Sequence, residues 1–543
     1  MALSKSEPAS LAGTISAVEA ALWACDLAKA MQLSEDAVAA GAQHPTLLSL
    51  AALKLMHAGQ NRQALPLLEQ ARQSLPRHVD LLNALGTCLS RLGRPREAVE
   101  AFDAAIAVAP EARLHFGRGL ALEDLSELEK ARQDFEQALA LDPALSEALA
   151  RLAVIAIQRG DGLAARQLAT RALAINPREA AARLALTQAA LEQKDIAGAE
   201  EALAPLVQDP ALGAVNRAFA MSLAGDILDA QQRPLEAFAA YTNSKAILRG
   251  FYAPNLAGME GVLARELRLA HYFRRTDLAA WQTGVQAQQS PITHVFLIGF
   301  PRSGTTLLEQ VLASHPDVAA MEERTCLMDS AAAFFGSDAD LDRLGAATDA
   351  QLQPWRTSYW RRVSESGIAA LKPVFIDKMP LNAVFLPLIA KLFPQARILL
   401  ALRDPRDVAL SCFRRRFAMN AGMFEFTTLE GTAAYYAAVM DLVQIFRETL
   451  TLRLLEVRHE NLVSDFDGEV ARVCDFLGLE PRAEMSGFAT HAKAQAIDTP
   501  SGAQLAGGLS SAGIAQWRRY RRELEPVFPV LEPFVARFGY PEK

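Results

Sequence analysis

Pro76, Pro110, Pro143, Pro177 and Pro210 lie 34, 33, 34 and 33 residues apart, and Ala64, Ala98, Ala131, Ala165 and Ala199 lie 34, 33, 34 and 34 apart. Two residue types sharing one period constrain this chain more than its composition does. Each stretch must be one supersecondary unit that cannot bury its apolar face alone and stacks on its neighbours. Within Asp80 to Pro110, Leu82, Leu85, Leu89 and Leu92 fall on one helical face, Gly93 ends that helix, and Pro95 suits the first turn of the next. Gly86 and Ala98 let the two helices approach closely, while Phe102 and Ile106 supply bulk one turn apart. Asp142, Asn176 and Asp209 stand at the ends of later units, where their side chains can turn the chain into the next repeat.

The period and these positions resemble tetratricopeptide repeats over roughly residues 44 to 248, with an off-register helical cap from about residue 10. The leucine and alanine stripes are packing. Functionally they imply only a surface suited to holding a peptide, a partner or a substrate-bearing protein.

From about residue 290 the pattern changes to short apolar runs alternating with helical stretches, the signature of a parallel sheet covered by helices. The first run, THVFLIG, is followed by FPRSGTT and the helix LLEQVLASH. Glycines between a strand and a helix aim backbone N–H groups at an anion. Gly299, Gly304, Thr305 and Thr306 follow the phosphate-loop spacing, but Thr305 stands where a nucleoside triphosphatase has lysine, and the cation is Arg302.

Ligands of open α/β sheets sit beyond the carboxyl ends of the strands. There the sequence offers Glu322 and Glu323, then Lys378 after VFID, Arg403 after ARILLAL, and Arg458 and His459 after LLEV. Taken singly, each has an ordinary structural reading: a solvated helix start, pairs with Asp377 and Asp404, a packed histidine. Their coincidence at one rim raises them to candidates. Ser411 and Arg415 follow Arg403 on one helix, so a second phosphate could meet all three.

GFPRSGTTLLEQ, EER, DKMPLN, RDPRDVALSCFRRRF and HENLV, in that order, resemble the sulfotransferases that use 3′-phosphoadenosine 5′-phosphosulfate (PAPS). More narrowly, the chain resembles bacterial tetratricopeptide-containing sulfotransferases, with motifs similar to those of protein-tyrosine sulfotransferases. The implied organisation is an all-α tetratricopeptide-type solenoid over 10–248, a helical linker over 249–289, and an α/β P-loop-like parallel-sheet sulfotransferase domain over 290–543. The resemblance implies that Arg302, Ser303, Gly304, Thr305 and Thr306 hold the 5′-phosphosulfate, and that Arg403, Ser411 and Arg415 hold the 3′-phosphate. It assigns Glu323 as catalytic base and Lys378 to the transferring group, with Ser510, Trp517 and Arg518 in a segment closing over the nucleotide. The family usually has tyrosine where His459 stands, so that contact departs from the pattern.

No metal is required by such a transfer, and adenosine 3′,5′-bisphosphate would be the product. Two rivals remain at this level: a phosphotransferase with Asp377 as metal ligand, and a repeat scaffold whose second domain binds a nucleotide without turnover. The net charge of −7, with both signs interspersed, argues against broad nucleic-acid or membrane-surface binding. Five scattered cysteines without a CxxC pair, no apolar run of about 18 residues, and Glu7 and Glu19 where a signal peptide needs an apolar core predict a cytoplasmic protein without a membrane span. Because the repeats are expected to contribute no phosphate ligand, the fragment 290–543 is expected to bind the nucleotide by itself.

Overall fold

The computed structural model describes residues 11–256, 258, 260–276, 281, 292–368, 372–490 and 508–541. It divides into two compact units, 1–155 with 164–185, and 156–163 with 186–543.

In the first unit the 34-residue period becomes antiparallel helix pairs such as Val79–Arg91 with Pro95–Ile106, and Ala112–Asp124 with Leu128–Leu141. Leu92 caps the first of these, Gly93 turns the chain at φ +71°, and Pro95 occupies the first turn of its partner. A Cβ on Gly86 would lie 2.8 Å from the Phe102 ring, so the missing side chain is what lets that ring sit fully buried between the helices. Asp142 and Asn176 accept backbone N–H groups two residues on, at 3.0 and 3.1 Å, and so make the turns expected of them. The off-register start consists of helices Leu11–Trp23 and Leu27–Ala39.

The second unit contains the helices α1 (Ala214–Ala230) and α2 (Pro234–Leu256), then β1 (Thr293–Gly299), α3 (Thr305–Ala313), β2 (Val318–Glu322), α4 (Asp349–Glu365), β3 (Val374–Lys378), β4 (Arg397–Leu402), α5 (Pro405–Arg414), α6 (Leu429–Thr449) and β5 (Arg453–Arg458). The strands form one parallel sheet in the order β2-β3-β1-β4-β5. All-α repeats followed by a helix-covered parallel sheet are what the two sequence periodicities predict.

Alternation along the strands builds two cores. Phe296, Ile298, Phe375, Ile398 and Leu400 pack with Val439, Val443 and Phe446 of α6 on one face. Val295, Leu297, Ile376 and Leu399 pack with Leu308, Val311 and Leu312 of α3 on the other. The connection after β1 runs to one side of the sheet, towards β2, and that after β4 to the other, towards β5, so the crevice at the carboxyl ends of β1 and β4 is the topological switch point where such sheets take ligands. Helix α2 packs against α5, which begins just beyond β4. No helix among the described residues is long and apolar enough to cross a membrane.

Candidate active site

The loop after β1 turns on two left-handed residues, Arg302 at φ +72° and Gly304 at φ +95°. Gly304 is the N-cap of α3, and the first N–H groups of a helix have no partner within it, so the loop presents donors and the positive helix end together. Ser303, Thr305 and Thr306 are buried around this turn. A Cβ on Gly304 would come within 2.8 Å of His459 Nδ1. Gly304→Ala should therefore destabilise the second unit by about 1–3 kcal/mol, from the left-handed backbone alone. Equilibrium denaturation checks this, and unchanged stability would mean that the loop leaves the left-handed conformation without cost.

Three guanidinium groups meet at the crevice. Arg302 Nε donates to Ser411 Oγ at 3.1 Å, and Arg403 Nη1 donates to the Arg302 carbonyl at 3.0 Å. Burial pushes the Arg302 ionisation down to about 9, helped by the charges of Arg415 and Arg403. Cations packed this closely disfavour one another unless an anion is shared among them. Arg403 Nε is buried without a hydrogen-bond partner among the described residues. Arg302, Arg403, Ser411 and Arg415 are thus brought together, Arg415 as the C-cap of α5.

His459 opens the helix after β5 beside Gly304. Burial pushes its imidazole down to about 3, with Arg403 and Arg302 adding to the effect, so the ring is neutral and its buried Nδ1 has no hydrogen-bond partner among the described residues.

The segment near the C-terminus is described from residue 508, and 499–507 of the expected closing segment lie outside the described residues. Ser510 is exposed and accepts the Ala512 N–H at 3.2 Å. Trp517 is buried, with the Arg406 guanidinium 3.8 Å from its ring centre. Arg518 is exposed, 5.8 Å from the same ring. Two groups missed by the sequence reading tie this segment to the site: Asp407 accepts the N–H groups of Ala515 and Trp517 at 2.7 and 2.8 Å, and the Gly513 carbonyl accepts from Arg403.

At the other end of the crevice, β2 and β3 are registered so that Glu322 lies opposite Lys378. Lys378 Nζ is fully buried, 3.0 Å from Glu323 Oε1, 3.2 Å from Glu309 Oε2 and 3.6 Å from Glu322 Oε1. Burial opposes its charge, but Glu309, Glu323 and Glu322 outweigh it and hold the ammonium above its ordinary range. Glu323 keeps 40 % of its side chain exposed, so of the two closest carboxylates it is the one open to an incoming molecule. Glu309 was not singled out from sequence, though a single acid in the apolar LLEQVL is a readable signal.

Asp377 points the other way. It is sealed in the opposite core, accepts the Tyr359 hydroxyl at 2.8 Å, and burial pushes its carboxyl up to about 7. Tyr359 is itself 2.9 Å from His294 Nε2. A carboxyl so placed cannot reach a ligand at the rim, which counts against Asp377 as a metal ligand.

Residues 294–483 match the family model described as sulfotransferase family, and 55–116 and 89–146 match two tetratricopeptide repeat models. The putative protein-tyrosine sulfotransferase of Caenorhabditis briggsae is 25 % identical over 193 residues, which are 35 % of this chain and 67 % of that protein. Protein-tyrosine sulfotransferase 1 of Mus musculus is 32 % identical over 146 residues, 26 % of this chain and 38 % of that protein. Nodulation protein NoeE of Sinorhizobium fredii is 29 % identical over 214 residues, 34 % of this chain and 50 % of that protein. The chain spans about a third to two thirds of the length of the curated relatives it matches.

Proposed function

The chain carries a sulfotransferase-family domain behind tetratricopeptide repeats, and from that premise we propose that it moves a sulfuryl group from PAPS to an acceptor hydroxyl. The observation that supports this reading is a pair of adjoining candidate anion sites, with Glu323 near enough to Arg302 to act on its charge. One is the turn from Arg302 to Thr306 at the α3 N-terminus. The other is the cluster of Arg403, Ser411 and Arg415. A nucleotide with separate 5′ and 3′ phosphates fits such a pair, and the unpartnered Arg403 Nε and His459 Nδ1 supply polar atoms to meet it.

PAPS supplies a sulfuryl group on a good leaving phosphate, so the protein's task is positioning and charge stabilisation. Glu323 takes the proton from the acceptor hydroxyl as its oxygen attacks sulfur in line. Arg302, Lys378 and the first N–H groups of α3 offset the charge that develops on the leaving oxygen. His459, neutral and seated against Gly304, contributes a ring nitrogen rather than a charge. We assign the exposed Ser510 and Arg518 to the nucleotide, whereas Trp517 acts by stacking under Arg406 to fix the segment.

The acceptor we favour is a tyrosine hydroxyl on a peptide held by the repeats, by analogy with the protein-tyrosine sulfotransferases among the relatives. The thiols of Cys88, Cys326, Cys412 and Cys474 are buried and unpaired, in keeping with a cytoplasmic site of action.

The test is ligand stabilisation. Adenosine 3′,5′-bisphosphate at about 100 times its Kd should stabilise the second unit by about 2.7 kcal/mol, read as a rise in Tm. ATP with magnesium should do much less. A larger shift with ATP would overturn the reading in favour of a phosphotransferase.

A further inference from the structure

Lys378 has more negative partners than one ammonium can neutralise. Glu309 faces it from α3, and Glu322 and Glu323 face it from the end of β2. The charge of Glu323 is also felt by Arg302, and Asp377, the neighbour on β3, turns to the opposite core. Three carboxylates around one ammonium disfavour ionisation of the member with least access to solvent, which is Glu309. Burial, with Glu322 and Glu323 contributing, pushes Glu309 up to about 7.

The catalytic step changes this balance. The acceptor oxygen forms a bond to sulfur, the S–O bond to the phosphate breaks with its electron pair left on the phosphate oxygen, and the hydroxyl proton passes to Glu323. At that moment Lys378 loses the charge of its nearest partner, while the leaving oxygen most needs a fixed cation. Glu309 is fully buried on a helix packed under the sheet, so it cannot follow the proton out or be displaced by the acceptor.

We propose that Glu309 is a positioning residue of the transfer, its buried carboxylate holding the Lys378 ammonium at the transfer site while Glu323 is neutralised by the acceptor's proton. This rests on the sulfuryl-transfer reading above. As Glu323 gains its proton, the repulsion that disfavours ionised Glu309 falls, so its carboxylate becomes the anchor when the other is lost.

The experiment uses the full chain with PAPS and a tyrosine peptide. Glu309→Gln should lower kcat up to about a hundredfold, the scale of a misplaced reacting group, and leave the Kd for adenosine 3′,5′-bisphosphate within about threefold. It should also bring the Lys378 titration down into the accessible alkaline range, read by ¹⁵Nζ NMR with Lys378→Met assigning the signal, and move the alkaline limb of kcat with it. On a Lys378→Met background, Glu309→Gln should cost nothing further in kcat, since its partner is gone. Glu309→Asp keeps the charge at a shorter reach, so it should lower kcat while Lys378 stays charged to high pH. An equal loss on both backgrounds, or an unmoved Lys378 titration, overturns the positioning role. Absence of transfer by the wild-type chain overturns the functional reading instead, and the two are told apart because the lysine titration is read without substrate.

Discussion

Glu323→Gln should lower sulfuryl transfer by about 10²–10⁴-fold while adenosine 3′,5′-bisphosphate still binds, because general-base assistance is worth that much and the substitution keeps the side chain's size while removing its basicity. The geometry makes the test clean. Glu323 lies 3.0 Å from Lys378, and Glu309 and Glu322 remain to hold that ammonium when Glu323 is neutral. Glu322→Gln should cost less than about tenfold, because at 3.6 Å it contributes to the charge around Lys378 without being its nearest partner. Initial rates with labelled PAPS and a tyrosine peptide decide between them. A larger loss at Glu322 would transfer the base to that residue, and an unchanged rate in Glu323→Gln would leave the domain without the proposed base.

What the sequence could and could not tell follows from how far apart interacting residues lie. The repeats were legible because a 34-residue period repeats local information, and the rim was legible because a parallel sheet delivers every strand end to one edge. The orientation of Asp377 was also available in principle. It adjoins Lys378 on a strand, so the two must face opposite cores, and only one can belong to the site. Glu309 escaped because an acid in a short helix ordinarily marks a solvated face, and its burial depends on strand β3 placing Lys378 beneath it. Gly304 and His459 fit together only once β5 is known to end beside the first loop. Least legible was Lys245 on α2. Its ammonium donates to the Arg415 carbonyl at 2.6 Å across 170 residues of sequence, closing the C-terminus of α5, and burial pushes its ionisation down to about 8.

That contact is one of several by which α1 and α2 hold α5, and their loss should have the largest effect on stability. Asp229, at the end of α1, accepts from Arg414 Nη2 at 2.8 Å and from Arg519 Nη2 at 2.7 Å, and the Tyr520 hydroxyl also donates to it. Arg414 is further bonded to the Tyr241 hydroxyl at 3.1 Å, Arg416 lies 3.5 Å from the centre of the Phe219 ring, and Phe238 packs on Phe413. Removing one partner of a buried ion pair leaves the other charge uncompensated, at a cost of about 3–5 kcal/mol. Asp229→Ala should therefore destabilise the second unit by that amount, read from its unfolding transition. Asp226→Ala, whose carboxylate stands 3.8 Å from Arg414, should cost less. The fragment 290–543 lacks Asp229, Tyr241, Lys245 and Phe219 together, so it should fail to fold, contrary to the expectation from sequence that it binds the nucleotide by itself. A fragment 186–543 should fold and bind. Binding by 290–543 with full-chain affinity would show instead that these contacts are dispensable and that the boundary near 290 is sufficient.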